Sequence, residues 1–272
     1  MSQRSLRVVT WNINSVRSRV DMMMGWLRQM DADIVCLQET KARPCVFPTQ
    51  LCAAHGYAYH HIDGIKRYNG VAMVSRLPLV DKAKHIWCGR DDARHISASV
   101  RWHGRDLLIH NLYVPAGGDV ADVACNPKFA HKLAFIEEAG AFLAKTCQTY
   151  PHAVVVGDLN IAPLPCDVWS HEQLLRVVSH TPIETRSLCH MQERGRWVDA
   201  VRHVFPPPQK LYTWWSYRAR HVMASDRGRR LDHIWVSRAL CPHIRTARIF
   251  RHARTDVRPS DHVPVLLELA PS

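Results

Sequence analysis

The sequence predicts an α/β fold in which two mixed β-sheets pack together and helices cover their outer faces. Three observations carry this. Apolar runs of strand length, many rich in Val and Ile, recur from one end of the chain to the other. Segments of helical period stand between pairs of those runs. The runs also lie too close together, and too often as hairpins, for a simple winding of parallel strands around crossover helices. No fixed-period repeat, low-complexity tract or linker interrupts the 272 residues. Residues 1–272 therefore read as a single domain, long enough to bury a sizeable core.

Residues 6–11 alternate into a short strand that ends in Asn12-Ile13-Asn14. Ser15 is expected to cap a helix reaching about Met30, with Val16, Val20, Met23 or Met24, and Leu27 on one face. Ile34-Val35-Cys36-Leu37 is a buried strand ending in Gln38-Glu39-Thr40-Lys41. Glu39 there reads either as half of a surface ion pair with Lys41 or as a metal ligand. Mg²⁺ is held by only one or two carboxylates plus substrate oxygens. Residues 70–75 form the next strand, stopped by Leu77-Pro78. Residues 96–102 and 106–112 pair as a hairpin around His103-Gly104. The second of these delivers Tyr113 to the head of a loop ending in Gly117-Gly118, where its hydroxyl either binds a phosphate or is satisfied structurally. Pro127 opens the longest helix, to about Lys145, with Leu133, Ile136, Gly140 and Leu143 on one face and Lys128, Lys132 and Glu137 elsewhere.

Val154-Val155-Val156-Gly157-Asp158-Leu159-Asn160 follows. Three β-branched residues indicate a strand buried on both faces, which Gly157 ends. The strand holds Asp158 and Asn160 rigidly at its carboxyl end. Either they form an Asx turn, or Asp158 accepts a proton while Asn160 donates to an oxyanion. Helical pieces are expected near residues 172–178, after Glu184 and over residues 197–204, before the turn Pro206-Pro207-Pro208. Residues 212–218 cluster aromatics ahead of a strongly basic loop, residues 218–230. Residues 231–236 and 263–269 are the last strands; the first carries Asp232 at its start and the second follows Pro259-Ser260-Asp261-His262.

Lys and Arg total 36 against 24 Asp and Glu, a formal net charge of +12. That excess suits a polyanionic partner such as nucleic acid, or marks a merely basic soluble protein. Nine cysteines, none in a Cys-x-x-Cys pair, signal neither a zinc ribbon nor a secreted disulfide framework. No apolar run spans a bilayer, and residues 1–7 lack the apolar core of a signal peptide. A reducing cytoplasm and no membrane are expected.

The strand-end residues Asn12, Glu39, Tyr113, Asp158 with Asn160, Asp232, and Asp261 with His262 occur in an order that resembles the exonuclease III family of apurinic/apyrimidinic (AP) endonucleases. That family belongs to the endonuclease/exonuclease/phosphatase superfamily. The matching segments include Trp11-Asn12-Ile13-Asn14, Leu37-Gln38-Glu39-Thr40-Lys41, Gly157-Asp158-Leu159-Asn160, Trp214-Trp215-Ser216-Tyr217-Arg218, Arg230-Leu231-Asp232-His233 and Ser260-Asp261-His262, and the likeness runs from about Leu6 to Leu269. It implies a four-layer α/β sandwich of the DNase I type. It also implies Mg²⁺- or Mn²⁺-dependent cleavage of duplex DNA 5′ to abasic sites, leaving a 3′-hydroxyl, with 3′→5′ exonuclease and 3′-end trimming. The alternative within the family is mainly a 3′→5′ exonuclease with weak abasic incision. Glu39 matches the main metal ligand, with Asn12, Asp158, Asn160 and Asp261 around the metal. Tyr113 matches the phosphate-binding Tyr, Asp158 the residue that activates water, and Asn160 its partner. Asp232 matches the carboxylate that pairs with His262. Trp214 and Leu231 match the apolar pocket for a flipped-out abasic sugar. Arg229 stands where well-known members have an apolar side chain, and Ala116 where many have Asn or Gln. Arg218, Arg220, Arg227, Arg229 and Arg230 are expected to contact phosphates. The implied partner is double-stranded DNA with abasic sites or blocked 3′ ends, acted on by a monomer held near the nucleoid through DNA. Two other classes compete. Superfamily phosphatases and DNase I-type nucleases share several motifs, but the latter typically carry His in place of Tyr113. A silent DNA-binding module needs none of Glu39, Asp158 and His262, all of which are present.

Overall fold

The computed structural model describes residues 4–218 and 222–271. In chain order the strands are β1 (Leu6–Asn12), β2 (Ile34–Gln38), β3 (Tyr59–Ile65), β4 (Tyr68–Ser75), β5 (Val80–Lys84), β6 (His95–Trp102), β7 (Arg105–Tyr113), β8 (Ala153–Asp158), β9 (Val198–Asp199), β10 (Trp214–Trp215), β11 (Gly228–Arg229), β12 (Asp232–Val236), β13 (Ile244–Ile249) and β14 (Val265–Leu269). The helices are α1 (Val20–Met30), α2 (Thr49–Ala54), α3 (Pro127–Thr149), α4 (His171–Leu174), α5 (Pro182–Arg194), α6 (Ala200–Val204) and α7 (Val222–Ser225).

Two six-stranded sheets form, in the orders β13-β14-β1-β2-β4-β3 and β5-β6-β7-β8-β12-β9, with β10 and β11 pairing apart. Both are mixed. β1 runs parallel to β2, and β7 to β8. β14 and β12 run antiparallel to β1 and β8. Alternate residues of one strand face opposite sides of its sheet, and the cores follow that rule. Leu6 and Val8 of β1 meet Val154 and Val156 of β8 in the core between the sheets. Val9 and Trp11 turn outward to Met23, Leu27 and Met30 of α1. Val155 turns outward on the other side, toward Phe135, Ile136, Leu143, Leu188 and Met191 of α3 and α5. The result is helix, sheet, sheet, helix: the four layers expected. Each of the three valines is at most 1% exposed, worth roughly 1.5–3 kcal/mol apiece in buried apolar surface. Gly157 has φ +153, and any Cβ there would run into the Leu112 carbonyl of β7. Close approach of the parallel pair therefore requires glycine at the step into the site.

The elements differ from expectation in several places, among them residues 197–204, where Val198–Asp199 pairs with β12 as a strand and the helix begins only at Ala200. Ser15 makes no side-chain cap, and the helix starts at Val20. Ser15 and Val16 instead donate their backbone N–H groups to the Glu39 and Thr40 carbonyls, which binds the end of β1 to the Glu39 loop. β3, β5 and β13 were not anticipated. They lie at or near sheet edges and show many exposed or half-buried side chains, so their apolar pattern is weak. The longest helix runs four residues past Lys145 and hides Lys132, which is buried rather than set on an outer face. All nine cysteines are free thiols.

Candidate active site

The parallel pairs bring the carboxyl ends of β1, β2, β7 and β8 to one rim, and with them Asn12, Glu39, Tyr113 and Asp158. Antiparallel neighbours bring strand beginnings to the same rim. Asp232 opens β12 directly opposite Asp158, and Asp261 and His262 precede β14. The structure thus gathers residues more than two hundred positions apart.

Asn12 is the joint between the two sheets. Its Nδ2 donates to Glu39 Oε1 (3.0 Å) and to Asp158 Oδ2 (2.9 Å). Its Oδ1 is turned away, accepting from Asn14 N (3.0 Å). In this arrangement Asn12 holds the carboxylates with its amide nitrogen, which is no metal ligand. Tyr113 OH donates to the same Glu39 oxygen (2.7 Å), and Lys41 Nζ lies 2.8 Å from Oε2. The ion pair expected for Glu39 is present, but not at the open surface. Glu39 pairs with Lys41, yet its side chain is only 20% exposed. Asp158 Oδ1 accepts from Asn160 N (2.9 Å), and Asn160 Nδ2 donates to Val114 O (2.9 Å) and more weakly to Asp158 Oδ2 (3.3 Å). The Asx turn is present, and it orients the carboxylate. Asn14, Glu39 and Asn160 all have positive φ (46, 49 and 53°), an arrangement that costs about 1–3 kcal/mol for a residue such as Glu and persists because the bonds above fix it.

His262 stands between two carboxylates. Its Nδ1 is 2.8 Å from Asp232 Oδ2 and its Nε2 is 3.6 Å from Asp158 Oδ2. Burial alone would push the imidazole pKa down; the charges of Asp232 and Asp158 outweigh it and hold the ring protonated well above its ordinary range. Burial pushes Asp158 up, His262 opposes this, and Asp232 and Glu39 add to the rise. Glu39 moves the other way. Burial would raise it, but Lys41, Asn12 and Tyr113 together hold it below the usual carboxylate value. Two carboxyls one amide apart are therefore driven in opposite directions, the pattern that separates a proton acceptor from a permanently charged group.

Two cation positions suggest themselves. Asp158, Asp232 and His262 have ligand atoms within 4.8 Å of one another. The imidazolium of His262 already fills that space as a cation. Glu39, Asp158 and Asp261 present carboxylate oxygens alone, the donor chemistry of a hard divalent ion. Asp261 is fixed by Asn14 Nδ2 (3.0 Å) and Trp214 Nε1 (3.0 Å). By donor chemistry the oxygen set suits such an ion better, but of the two sets only Asp158, Asp232 and His262 have all their ligand atoms within 4.8 Å of one another.

The residues expected to meet DNA separate into two groups. Trp214, Arg229 and Leu231 come together beside Asp261. The Arg229 guanidinium lies 5.2 Å from the Trp214 ring centre, and Leu231 packs with Trp214, Ala162, Val168 and Leu174. Trp215 is core and Trp214 half-exposed. Arg229 Nη1 is tied to Val178 O (3.0 Å) and Ser179 Oγ (2.7 Å). Arg218 is exposed near Tyr217, Arg227 stacks over Trp169, and Arg220 lies outside the described residues. Arg230 does not belong with them. It is fully buried, paired with Asp167 (2.6 Å) and Asp199 (2.7 Å), and Arg202 joins the same Asp167 oxygen. Buried guanidinium with two carboxylates is a brace, closed to phosphate.

Lys132 and Glu184 were not anticipated at all. Lys132 Nζ donates to Glu184 Oε1 (2.5 Å), Asn160 O (2.9 Å) and Ala116 O (3.2 Å), so it ties the loops after β7 and β8 to α5. Its partner lies 52 residues away, and no local signal marks the pair.

The chain matches the Endonuclease/Exonuclease/phosphatase family over residues 9–262. It is 27% identical to an exodeoxyribonuclease of Bacillus subtilis, over 96% of this chain and 98% of that protein. It is 26% identical to the DNA repair nuclease APEX1 of Danio rerio, over 98% and 83%. Among solved structures, an AP endonuclease from Archaeoglobus fulgidus aligns with a TM-score of 0.89 and 30% identity, over 98% of this chain and 100% of that one. The 3′ phosphatase NExo from Neisseria, bound to a product DNA hairpin, aligns with a TM-score of 0.89, 29% identity and the same coverage. With the family match running from β1 to His262 and full-length likeness to these nucleases, the chain belongs to the endonuclease/exonuclease/phosphatase family, in its exonuclease III branch.

Proposed function

We propose that this protein is a DNA-repair phosphodiesterase that cuts duplex DNA 5′ to abasic sites and clears 3′ ends, using Mg²⁺ or Mn²⁺. The observation that carries the proposal is the Asn12 amide shared by Glu39 and Asp158 at 3.0 and 2.9 Å, with His262 held charged beside them by Asp232. In-line attack on a phosphodiester needs a proton acceptor for water and positive charge for the non-bridging oxygens. Asp158 takes the proton from the attacking water. Asn160 donates to the phosphate the amide hydrogen otherwise spent on its weaker 3.3 Å contact with Asp158, and the His262 imidazolium and the Tyr113 hydroxyl, turned from Glu39, stabilise the charge that builds on the oxygens. Asp232 keeps the imidazole oriented and charged. Glu39, with Asp158 and Asp261, would hold the divalent ion, which would supply Lewis-acid stabilisation of the charge on the phosphate and the leaving 3′-oxygen. Trp214 and Leu231 receive the extruded sugar, and Arg218 and Arg229 meet the backbone. Residues 1–272 act as one domain and as a monomer on DNA in the cytoplasm. Among the described residues no helix is long and apolar enough to cross a membrane.

A second reading rests on Arg229, whose guanidinium lies over Trp214. A charged group at the sugar pocket favours a 3′-terminal nucleotide or phosphate over a bare sugar, and so a mainly 3′-processing enzyme. The deciding experiment uses a labelled duplex with one central abasic analogue beside its undamaged counterpart, each with Mg²⁺, Mn²⁺ or EDTA. Metal-dependent incision at the analogue supports the first reading. A ladder shortening both duplexes from the 3′ end supports the second. Retention of duplex without cutting in any metal refutes both.

A further inference from the structure

His85, His95 and His110 lie outside the rim, on the face of the second sheet that α3 covers. They come from three adjacent segments. His110 is on β7, His95 on β6, and His85 continues the line of β5, its backbone N–H bonding the His95 carbonyl (3.0 Å). One ring nitrogen from each lies within 4.8 Å of the others. Phe142 of α3 and Trp87 pack over the group, His95 and His110 are at most 1% exposed, and His85 is half-buried.

The hydrogen bonds fix where the protons sit. Trp87 Nε1 can only donate, so His95 Nδ1 (3.2 Å) is its acceptor. The His95 proton is then on Nε2, and it is donated to His110 Nδ1 (2.9 Å). The His110 proton falls on Nε2, and that buried nitrogen has no partner. Three neutral imidazoles thus face one another, and the chain of donors ends in an orphan.

The geometry points to a transition-metal site: His85, His95 and His110 bind one Zn²⁺ through three imidazole nitrogens, leaving the fourth position to water or to Ser97. Neutral imidazoles converging from three strands are the donor set that zinc takes, and they are poor ligands for Mg²⁺ or Mn²⁺. Ser97 Oγ already lies 2.8 Å from His85 Nε2. Binding reverses the proton order. The His95 lone pair at Nε2 goes to the metal, its proton moves to Nδ1, and Trp87 loses its acceptor. The ion would clasp the edge strand β5 to β6 and β7, apart from the rim where cleavage is proposed.

The test titrates chelator-treated full-length protein with Co²⁺ in excess Mg²⁺, which occupies oxygen sites. The expected result is one equivalent of Co²⁺ with the intense visible absorption of four-coordinate, nitrogen-rich cobalt, displaced by one equivalent of Zn²⁺. Tryptophan fluorescence changes in step, and that change disappears in Trp87→Phe, which binds the metal at least as tightly. His85→Asn and His110→Leu each raise the dissociation constant more than about 100-fold, beyond the loss typical of outer-shell changes. His85 is half-exposed, so its variant keeps the fold if the buried one does not. A weak six-coordinate spectrum, or full binding by His85→Asn, overturns the assignment.

Discussion

Replacing Lys132 by Met keeps the side chain's length and removes its ammonium, which tests whether one buried ion pair sets the geometry of the site loops. Both partners of the Lys132–Glu184 pair are 0% exposed. Breaking such a pair from one side costs about 3–5 kcal/mol, because the surviving charge is stranded. Glu184 still accepts from Ser179 N, Thr181 N and Thr181 Oγ1, which places the loss at the lower end, about 3 kcal/mol. At roughly 2 °C per kcal/mol for a chain of this size, the melting temperature falls by about 6 °C. Catalysis suffers separately. The carbonyls of Asn160 and Ala116 lose their tether, and displacement of a site loop by about 1 Å lowers turnover by on the order of 100-fold. The double variant Lys132→Met/Glu184→Gln separates the two effects. It leaves no stranded charge and should regain most of the stability, while the loops stay untied and turnover stays low. Thermal melts and single-turnover incision of an abasic duplex read both quantities. Melting within about 1 °C of wild type for Lys132→Met, or turnover that returns with stability in the double variant, refutes the reasoning.

Three further outcomes are expected. Asp158→Asn keeps the shape of the proposed base and removes its proton affinity; single-turnover cleavage with Mg²⁺ should drop about 10²–10⁴-fold while DNA affinity by anisotropy holds, and near-normal cleavage would remove Asp158 as the base. Arg229→Leu should raise abasic incision relative to 3′ exonuclease activity on matched duplexes, and an unchanged ratio would exclude Arg229 from specificity. Asp199 gives a pH dependence: burial pushes its carboxyl up, but Arg230 and His233 outweigh that and depress it strongly from 3.8. The unfolded chain therefore binds the proton more readily, so this stabilisation is full above pH 3.8 and is lost as pH falls toward the folded value. Urea midpoints of wild type should fall between pH 5 and pH 3 more steeply than those of Asp199→Asn, and equal slopes would count against the brace.

What could be read from the chain was the set of strands that end in chemistry. β-Branched runs such as residues 154–156 announce burial, and a polar residue after them announces a rim; Glu39 and Asp158 were visible for that reason, while Asp232 stood out as a carboxylate opening such a run. Edge strands carry no such mark. In β3, His60, His61, Asp63 and Gly64 interrupt any apolar alternation, because backbone pairing with β4 holds the strand in place. Helix starts were misread where the backbone had other work, as at Ser15. Buried charges were hidden most completely. Lys132 and Arg230 look like surface cations until their partners arrive, and Glu184 and Asp167 lie 52 and 63 residues away. The orientation of the Asn12 amide was likewise unreadable, since it depends on two carboxylates from different sheets.

The pairing of β1 with β14 has a consequence for how the protein is made. Asn12, Glu39, Tyr113 and Asp158 leave the ribosome well before Asp261 and His262, and β1 lacks its antiparallel neighbour until residues 265–269 follow. A nascent chain therefore carries most of the acidic residues but no imidazolium and no closed first sheet. A chain cut short before residue 262 therefore lacks both His262 and the strand that pairs with β1 in the first sheet.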